Sequence, residues 1–437
     1  MDKIIKQIAT LLILVVGTIT GVAATEIGSY VPSWSAESDF RLMQLDQAGL
    51  TDKLTYLNYA FENLYKMPDG TYRCNNGSDL GDHSQGFGMR ATLDYAARFG
   101  ADESVNGVAD RVDQPLAGNF NQLKQLKANH PDLKVLAALG GWTWSRWFSA
   151  AAATPRLRRV LVSSCIELYI KGNLPVWKGH GGQGSASNVF DGFDIDWEHP
   201  GSTGIGYNTA SRNDKRNFTL LLAEFRKQLD EQSEINGKRY YLTAAIISSD
   251  NNINHTEPAK YASYIDWINL MSYDYHGAWD KNGPTHFQSN LYTDPEDPDE
   301  NKQSIDEGVK QLMAAGVPSE KIVLGVPFYA RGWSGVGAAN NGLYQRAEGP
   351  AMGVEEGAET YAGMVTKSVT LYYHPITKQL WTYENGVFWT FDDPVVIREK
   401  VNYIRQFNLG GIMSWSLDQD DSQFSLTKAM VELHNLK

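Results

Sequence analysis

The chain has 437 residues, a formal net charge of −12, and 42% hydrophobic against 21% charged residues. An acidic balance of this size argues against nucleic acid as a partner, because such binding rests on clustered Lys and Arg that neutralise phosphates. The composition is that of a globular protein able to bury a sizeable core, and no long polar tract marks a disordered segment.

The first residues carry Lys3 and Lys6, an apolar run from Ile8 to Val16, and then Val22-Ala23-Ala24. This pattern predicts a secretory signal peptide over residues 1–24, cleaved near Ala24. A bilayer span needs about 20 apolar residues, and Thr18 and Thr20 dilute this run. A secreted, extracellular mature form without a membrane segment is therefore expected.

From Thr25 onward, short β-rich runs alternate with longer helical patterns, as in parallel strands joined by crossover helices. Eight strands are predicted, at 26–34, 53–61, 133–141, 190–198, 239–247, 266–274, 321–329 and 410–418. Helices over 120–129, 215–232, 304–315 and 394–407 show apolar residues near every third or fourth place. The fold class is α/β, a closed (β/α)8 TIM barrel. Such a barrel takes about 250 residues, so the surplus sits in insertions, predicted at 65–116, 276–302 and 332–391 after the second, sixth and seventh strands. The expected organisation is one catalytic domain over 25–437 with a small inserted α+β subdomain at 332–391. That insertion contains three alternating β-runs within LYYHPITKQLWTYENGVFWTF. Cys74 and Cys165 are too few for a disulfide scaffold. They could pair after export, or Cys165, in the apolar run LVSSCIELYI, could be a buried free thiol.

The segment DGFDIDWE (191–198) carries the chemistry. Strand side chains alternate, so Asp194, Asp196 and Glu198 share one face while Phe193, Ile195 and Trp197 share the other. Buried charge costs several kcal/mol per ion unless paired or neutralised, so three inward carboxylates are not filler. Crowded acids share protons, at least one pKa rises, and Glu198, last on the predicted strand and nearest the barrel mouth, is the natural proton donor. A calcium site is the alternative, but the segment lacks the flexible Gly-containing loop that calcium-binding acids occupy. Neither a metal nor a cofactor is expected.

DGFDIDWE resembles the DxxDxDxE signature of glycoside hydrolase family 18, here Asp191, Asp194, Asp196 and Glu198. MSYDYHG (271–277), beginning at Met271, is similar to the family's Met-x-Tyr-Asp segment, and SWSLD (414–418) resembles the strand bearing its active-site Trp. The insertion after the seventh strand resembles the family's chitinase insertion domain. The resemblance implies hydrolysis of chitin or chitooligosaccharides, β-1,4-linked N-acetylglucosamine, with retention and with the substrate's 2-acetamido group as nucleophile. It implies Glu198 as acid/base, Asp196 orienting the acetamide and sharing a proton with Asp194, and Tyr273 donating to the acetamide oxygen. Asp274 assists, Trp415 forms the floor, and Trp142, Tyr30, Phe61, Met271 and Arg331 line the site. Trp34, Trp144, Trp147, Trp279 and Trp333 are further stacking candidates, although core positions suit such residues as well. His199 is read as a spectator beside the acid. A monomer is expected.

One position departs from the pattern. The third strand ends AALGG, so Ala138 stands where the family commonly has a serine supporting the innermost aspartate, and Tyr30 remains as a donor to Asp194. The resemblance also implies non-proline cis peptides at Ala60-Phe61, Glu198-His199 and Trp415-Ser416. Two other readings compete: a chitinase-like lectin, against which the intact acids argue, and an endoglycosidase acting on N-glycans.

Overall fold

The computed structural model describes residues 25–38, 40–82, 85–248, 253–300 and 302–435. The signal peptide expected over 1–24 lies outside the described residues. Eight parallel strands close into a barrel. They are β1 (Glu26–Pro32), β2 (Tyr56–Glu62), β3 (Lys134–Gly140), β4 (Gly192–Asp196), β5 (Tyr241–Ile247), β6 (Trp267–Met271), β7 (Ile322–Pro327) and β8 (Gly411–Trp415). Each pairs with its neighbour in sequence, and β8 closes on β1, with Ile27 beside Ile412. Seven fall within the segments predicted from alternating β and helical patterns, and β2 runs one residue past its segment, to Glu62.

The helices between them lie close to expectation, including Gly118–Asn129, Asp214–Asn236, Ile305–Ala314 and Pro394–Gln406. Sequence chemistry sets their ends. Ser304 accepts the Glu307 N–H, and Asp393 accepts the Val395 and Val396 N–H groups ahead of Pro394 at the first helical position, which ties off otherwise orphaned donors.

Alternation along the strands divides the interior in two. Leu57, Tyr59, Phe193, Ile195 and Trp197 face outward into the main core beneath the helices. Tyr30, Tyr56, Ala60, Ala138, Trp267 and Met413 fill the barrel itself.

The insertion after β7 includes an antiparallel sheet with strand order Gly349–Pro350, Tyr329–Ser334, Val387–Phe391, Leu380–Glu384, Leu371–Tyr373, and Ala358–Thr360 also pairs with Tyr329–Ser334. The three β-runs expected between 371 and 391 are its last three strands. Trp333 is fully buried in this sheet's core beside Phe287 and Phe388, so it is not a surface for sugar stacking. Trp144 is also buried, against the barrel cluster. The insertion after β2 forms two hairpins, Leu64–Lys66 with Tyr72–Cys74 and Asp79–Asp82 with Phe87–Arg90, followed by the short helical segment Thr92–Ala96. The two cysteines pair: a Cys74–Cys165 disulfide joins the first hairpin to the helix Pro155–Cys165.

Candidate active site

The C-terminal end of the barrel gathers the sequence-predicted residues from nearly every strand: Tyr30 on β1, Phe61 on β2, Asp194 and Asp196 on β4, Met271 on β6, Trp415 on β8. Trp142 follows β3, Tyr273 and Asp274 follow β6, and Arg331 lies on the strand after β7. Strand β4 ends at Asp196, so Glu198 is not its last residue; it stands two residues beyond, on the turn at the mouth. Its N–H donates to Ser145 Oγ at 2.8 Å, and its carbonyl accepts from Asn208 Nδ2 at 3.0 Å. The Ser145 hydroxyl also lies 3.0 Å from the Asp196 carbonyl oxygen. One serine from the β3 loop thus fixes the backbone on both sides of Trp197.

The two glycines that end AALGG make room for this turn. A Cβ on Gly140 would meet the Asp196 carbonyl at 2.4 Å, and one on Gly141 would meet the Phe61 ring at 2.5 Å. Both residues also have positive φ, 108° and 72°, which glycine adopts at little cost. The peptides Ala60-Phe61, Glu198-His199 and Trp415-Ser416 are all cis.

Asp194 is held deep in the barrel by three donors: Tyr30 O–H at 2.5 Å, Thr243 O–H at 2.5 Å and Asn269 N–H at 3.0 Å. Ala138 sits beside Asp194 in the β3–β4 register, and Thr243 sits beside it on the β5 side. A donor missing from one neighbouring strand is thus replaced from the other. Asn269 is itself oriented by Tyr56 O–H at 2.6 Å and Trp267 Nε1–H at 3.1 Å, both donating to its Oδ1. Tyr30 was legible in the sequence, whereas Thr243, Asn269 and Ser145 were not.

Burial raises the pKa of Asp194, opposed by its three donors. Asp196 rises well above the ordinary carboxylate range through burial and then the charges of Glu198 and Asp194. Its Oδ1 is buried with no hydrogen-bond partner among the described residues. Glu198 is pushed up to about 8 by burial and then by the Asp274 charge. Its neighbour His199, 3.7 Å away, is pushed down to about 4 by burial, so a neutral imidazole stands beside the acid near neutral pH. Tyr273 is also raised, by burial and then the surrounding carboxylates, and keeps its phenolic proton.

Asp274, at φ +59°, turns toward Arg331, which grips it at 2.8 Å through Nε and 2.9 Å through Nη2. The guanidinium lies between the rings of Tyr329 and Trp279, 4.9 and 5.3 Å from their centroids. Arg331 therefore ties the inserted sheet to the barrel mouth.

Trp415 stacks on Phe61 at 5.3 Å and 15°, with Tyr30 and Trp34 packed at 5.3 and 6.4 Å. Trp142 and Trp279 are about half exposed, at 47% and 51%, while Trp147 packs with the Arg146 guanidinium 5.1 Å from its ring. Asp191, the first acid of the signature, is absent from the mouth. It lies at the opposite end of β4, bracketed by Lys127 at 2.7 Å and Lys238 at 2.8 Å. Among the described residues, no group of three or more His, Cys, Asp or Glu is arranged to hold a metal ion.

The model of the glycosyl hydrolases family 18 matches residues 26–420. Chitinase A1 of Niallia circulans is 34% identical over 433 residues, spanning 93% of this chain and 58% of its own length. Chitinase C of Streptomyces lividans is 33% identical, spanning 90% of this chain and 56% of its own length. The catalytic domain of psychrophilic chitinase B from Arthrobacter TAD20 superposes with a TM-score of 0.87 at 40% identity, covering 94% of this chain and 95% of its own. This chain thus spans less than two thirds of the length of these two curated relatives.

Proposed function

Because the chain belongs to the glycosyl hydrolases family 18, we propose that it is a chitinase, hydrolysing chitin or chitooligosaccharides with retention through the substrate's own acetamido group. Glu198, protonated up to about pH 8, gives its proton to the glycosidic oxygen and later acts as the base, the acid/base duty that a raised carboxyl pKa serves. Asp196 takes the acetamide N–H and stabilises the cationic oxazolinium, and Asp194 holds the proton they exchange. Tyr273 donates to the acetamide oxygen, Asp274 assists at the same sugar, and Trp415 is the floor under the pyranose.

The observation that carries this reading is the orphaned, buried Oδ1 of Asp196 beside a protonated Glu198. A buried polar atom without a partner is costly, and an acetamide N–H supplies the missing donor. A glucose polymer brings neither that donor nor a nucleophile, so selectivity follows from the chemistry.

The extent of the unit belongs to the same proposal: a secreted, monomeric protein whose single catalytic domain over 25–437 carries the inserted subdomain 332–391. No described helix is long and apolar enough to cross a membrane. N-terminal sequencing and light scattering of the exported protein check processing near Ala24 and the monomer.

The decisive experiment follows a defined chitin hexamer in time with anomer detection, beside a high-mannose glycopeptide. The β-anomer released from the hexamer is expected. Cleavage of the glycopeptide alone would make the chain an endoglycosidase, and cleavage of neither a lectin.

A further inference from the structure

A second pair of buried acids lies outside the machinery above. Glu62 and Asp94 are 3% and 1% exposed, in the layer between the barrel and its helices, where the insertion after β2 docks. The β2–β3 register shifts between Ala60 and Glu62. Such an irregularity re-aims side chains, and here Phe61 joins the cluster inside the barrel while Glu62 turns into the outer layer beside Tyr59 and Tyr169.

The pair is tied together by polar groups without net charge. Tyr169 O–H donates to Glu62 Oε2 at 2.5 Å, Tyr59 O–H donates to Asp94 Oδ1 at 2.5 Å, and Asn76 Nδ2 reaches Asp94 Oδ2 at 2.8 Å and Glu62 Oε2 at 3.4 Å. Asn119 adds a bond to the Tyr59 hydroxyl at 3.0 Å, and Tyr95 O–H donates to the Asn76 carbonyl at 2.7 Å. Glu62 Oε1 and Asn76 Oδ1 are buried with no partner among the described residues. The other charged or titratable groups acting on the pair are Arg90 and Asp79 of the insertion, with Tyr65 and Tyr95. Arg90 is the cation among them. Two ionised carboxylates buried in this setting would cost several kcal/mol per ion, so at least one keeps its proton while the insertion is seated.

Both ends of this network reach the site floor. Glu62 is bonded to Phe61, the ring stacked on Trp415. Arg90, four residues before Asp94, lies over the Trp34 ring at 5.4 Å, and Trp34 packs on Trp415 at 6.4 Å. We infer that Glu62 and Asp94 are positioning residues, a pair of buried acids bridged by Asn76 that acts as a clamp seating the β2 insertion and, through it, the aromatic floor of Phe61, Trp34 and Trp415. The clamp closes while the pair holds a proton and loosens when both carboxyls ionise. Burial pushes Asp94 up to about 7 and Glu62 above its ordinary range. Acids raised in the folded state give it extra protons, so the stabilising contribution of Asp94 is present at low pH and fades as pH climbs from about 4 through about 7, and that of Glu62 fades in the same direction.

The test compares the wild type with Glu62→Gln and Glu62→Gln/Asp94→Asn by hydrogen–deuterium exchange and steady-state kinetics between pH 5 and 9. Corrected for intrinsic exchange, wild-type protection over residues 57–95 should fall with rising pH. KM for chitin oligomers should rise about fivefold, the lower end of an ordinary coupling. In the double variant both should be nearly flat with pH, while the kcat profile, governed by Glu198, should track the wild type. A wild type whose protection in this segment is indifferent to pH overturns the clamp, even if both variants fail to fold. Variants that keep the wild-type pH dependence overturn it equally. The kinetic arm rests on the chitinase proposed above and the exchange arm does not, so failure of one reading leaves the other measurable.

Discussion

The two ends of the barrel treat their acids in opposite ways. At the end where the strands begin, three carboxylates are met by cations: Asp191 by Lys127 and Lys238, Asp266 by Arg226 and Arg239, Glu26 by Lys134. At the mouth, Asp194, Asp196 and Glu198 form no ion pair with Lys or Arg among the described residues. The nearby Arg331 is bound through Nε and Nη2 to Asp274. Asp191, just before β4, and Asp194, on it, are only three residues apart, so the difference does not come from local sequence. It lies in what the neighbouring strands and helices bring. Where stability is the purpose, charge is compensated; where a proton must be held near neutral pH, counter-cations are left out and burial does the shifting.

The largest expected effect tests the mouth directly. Glu198→Gln should lower kcat by about 100- to 10,000-fold, the range for loss of a general acid, with oligomer binding retained in calorimetry; near-normal turnover would remove Glu198 from its role. Next comes a pair of substitutions at the two ends of β4. Asp196→Asn should abolish most activity yet raise stability by about 0.5–2 kcal/mol, because it removes an uncompensated buried acid from a functional site. Asp191→Asn should leave kcat near wild type and cost about 1–3 kcal/mol, the penalty of a broken buried pair reduced because Lys238 is partly exposed. Denaturant melts of both proteins read this out, and equal signs would collapse the contrast between the two ends. The smallest effect is on pH. The acid must be protonated to act, so activity should hold below about pH 8 and fall as pH rises through it. Asp274→Asn removes a charge that raises Glu198, so the alkaline limb of kcat/KM should move toward acid; an unmoved limb would mean that burial alone sets it.

Much of this was legible in the sequence because it is periodic or contiguous. Eight β-runs separated by helices give a barrel, and Asp194 and Asp196, two apart on one strand, share a face, with Glu198 on the turn two residues beyond. What could not be read were partners brought together only by closure. Thr243 and Asn269 are 49 and 75 residues from Asp194, and they meet it through strand register. The cysteines are 91 residues apart, joined only where a loop hairpin lies against a helix. The tryptophans divide for the same reason. Trp279 and Trp333 both sit in segments after barrel strands, and only the packing of the inserted sheet decides that the first is half exposed and the second enclosed.

The grip of Arg331 on Asp274 makes the cleft a mechanical object as well as a chemical one. The inserted sheet is one jaw, and the salt link at its root is the hinge pin that keeps a negative charge beside Glu198. Prising the jaw outward would draw on that pin and disturb the field around the acid. A bulky ligand wedged against the sheet could therefore detune the proton donor from a distance, without touching the sugar-binding floor.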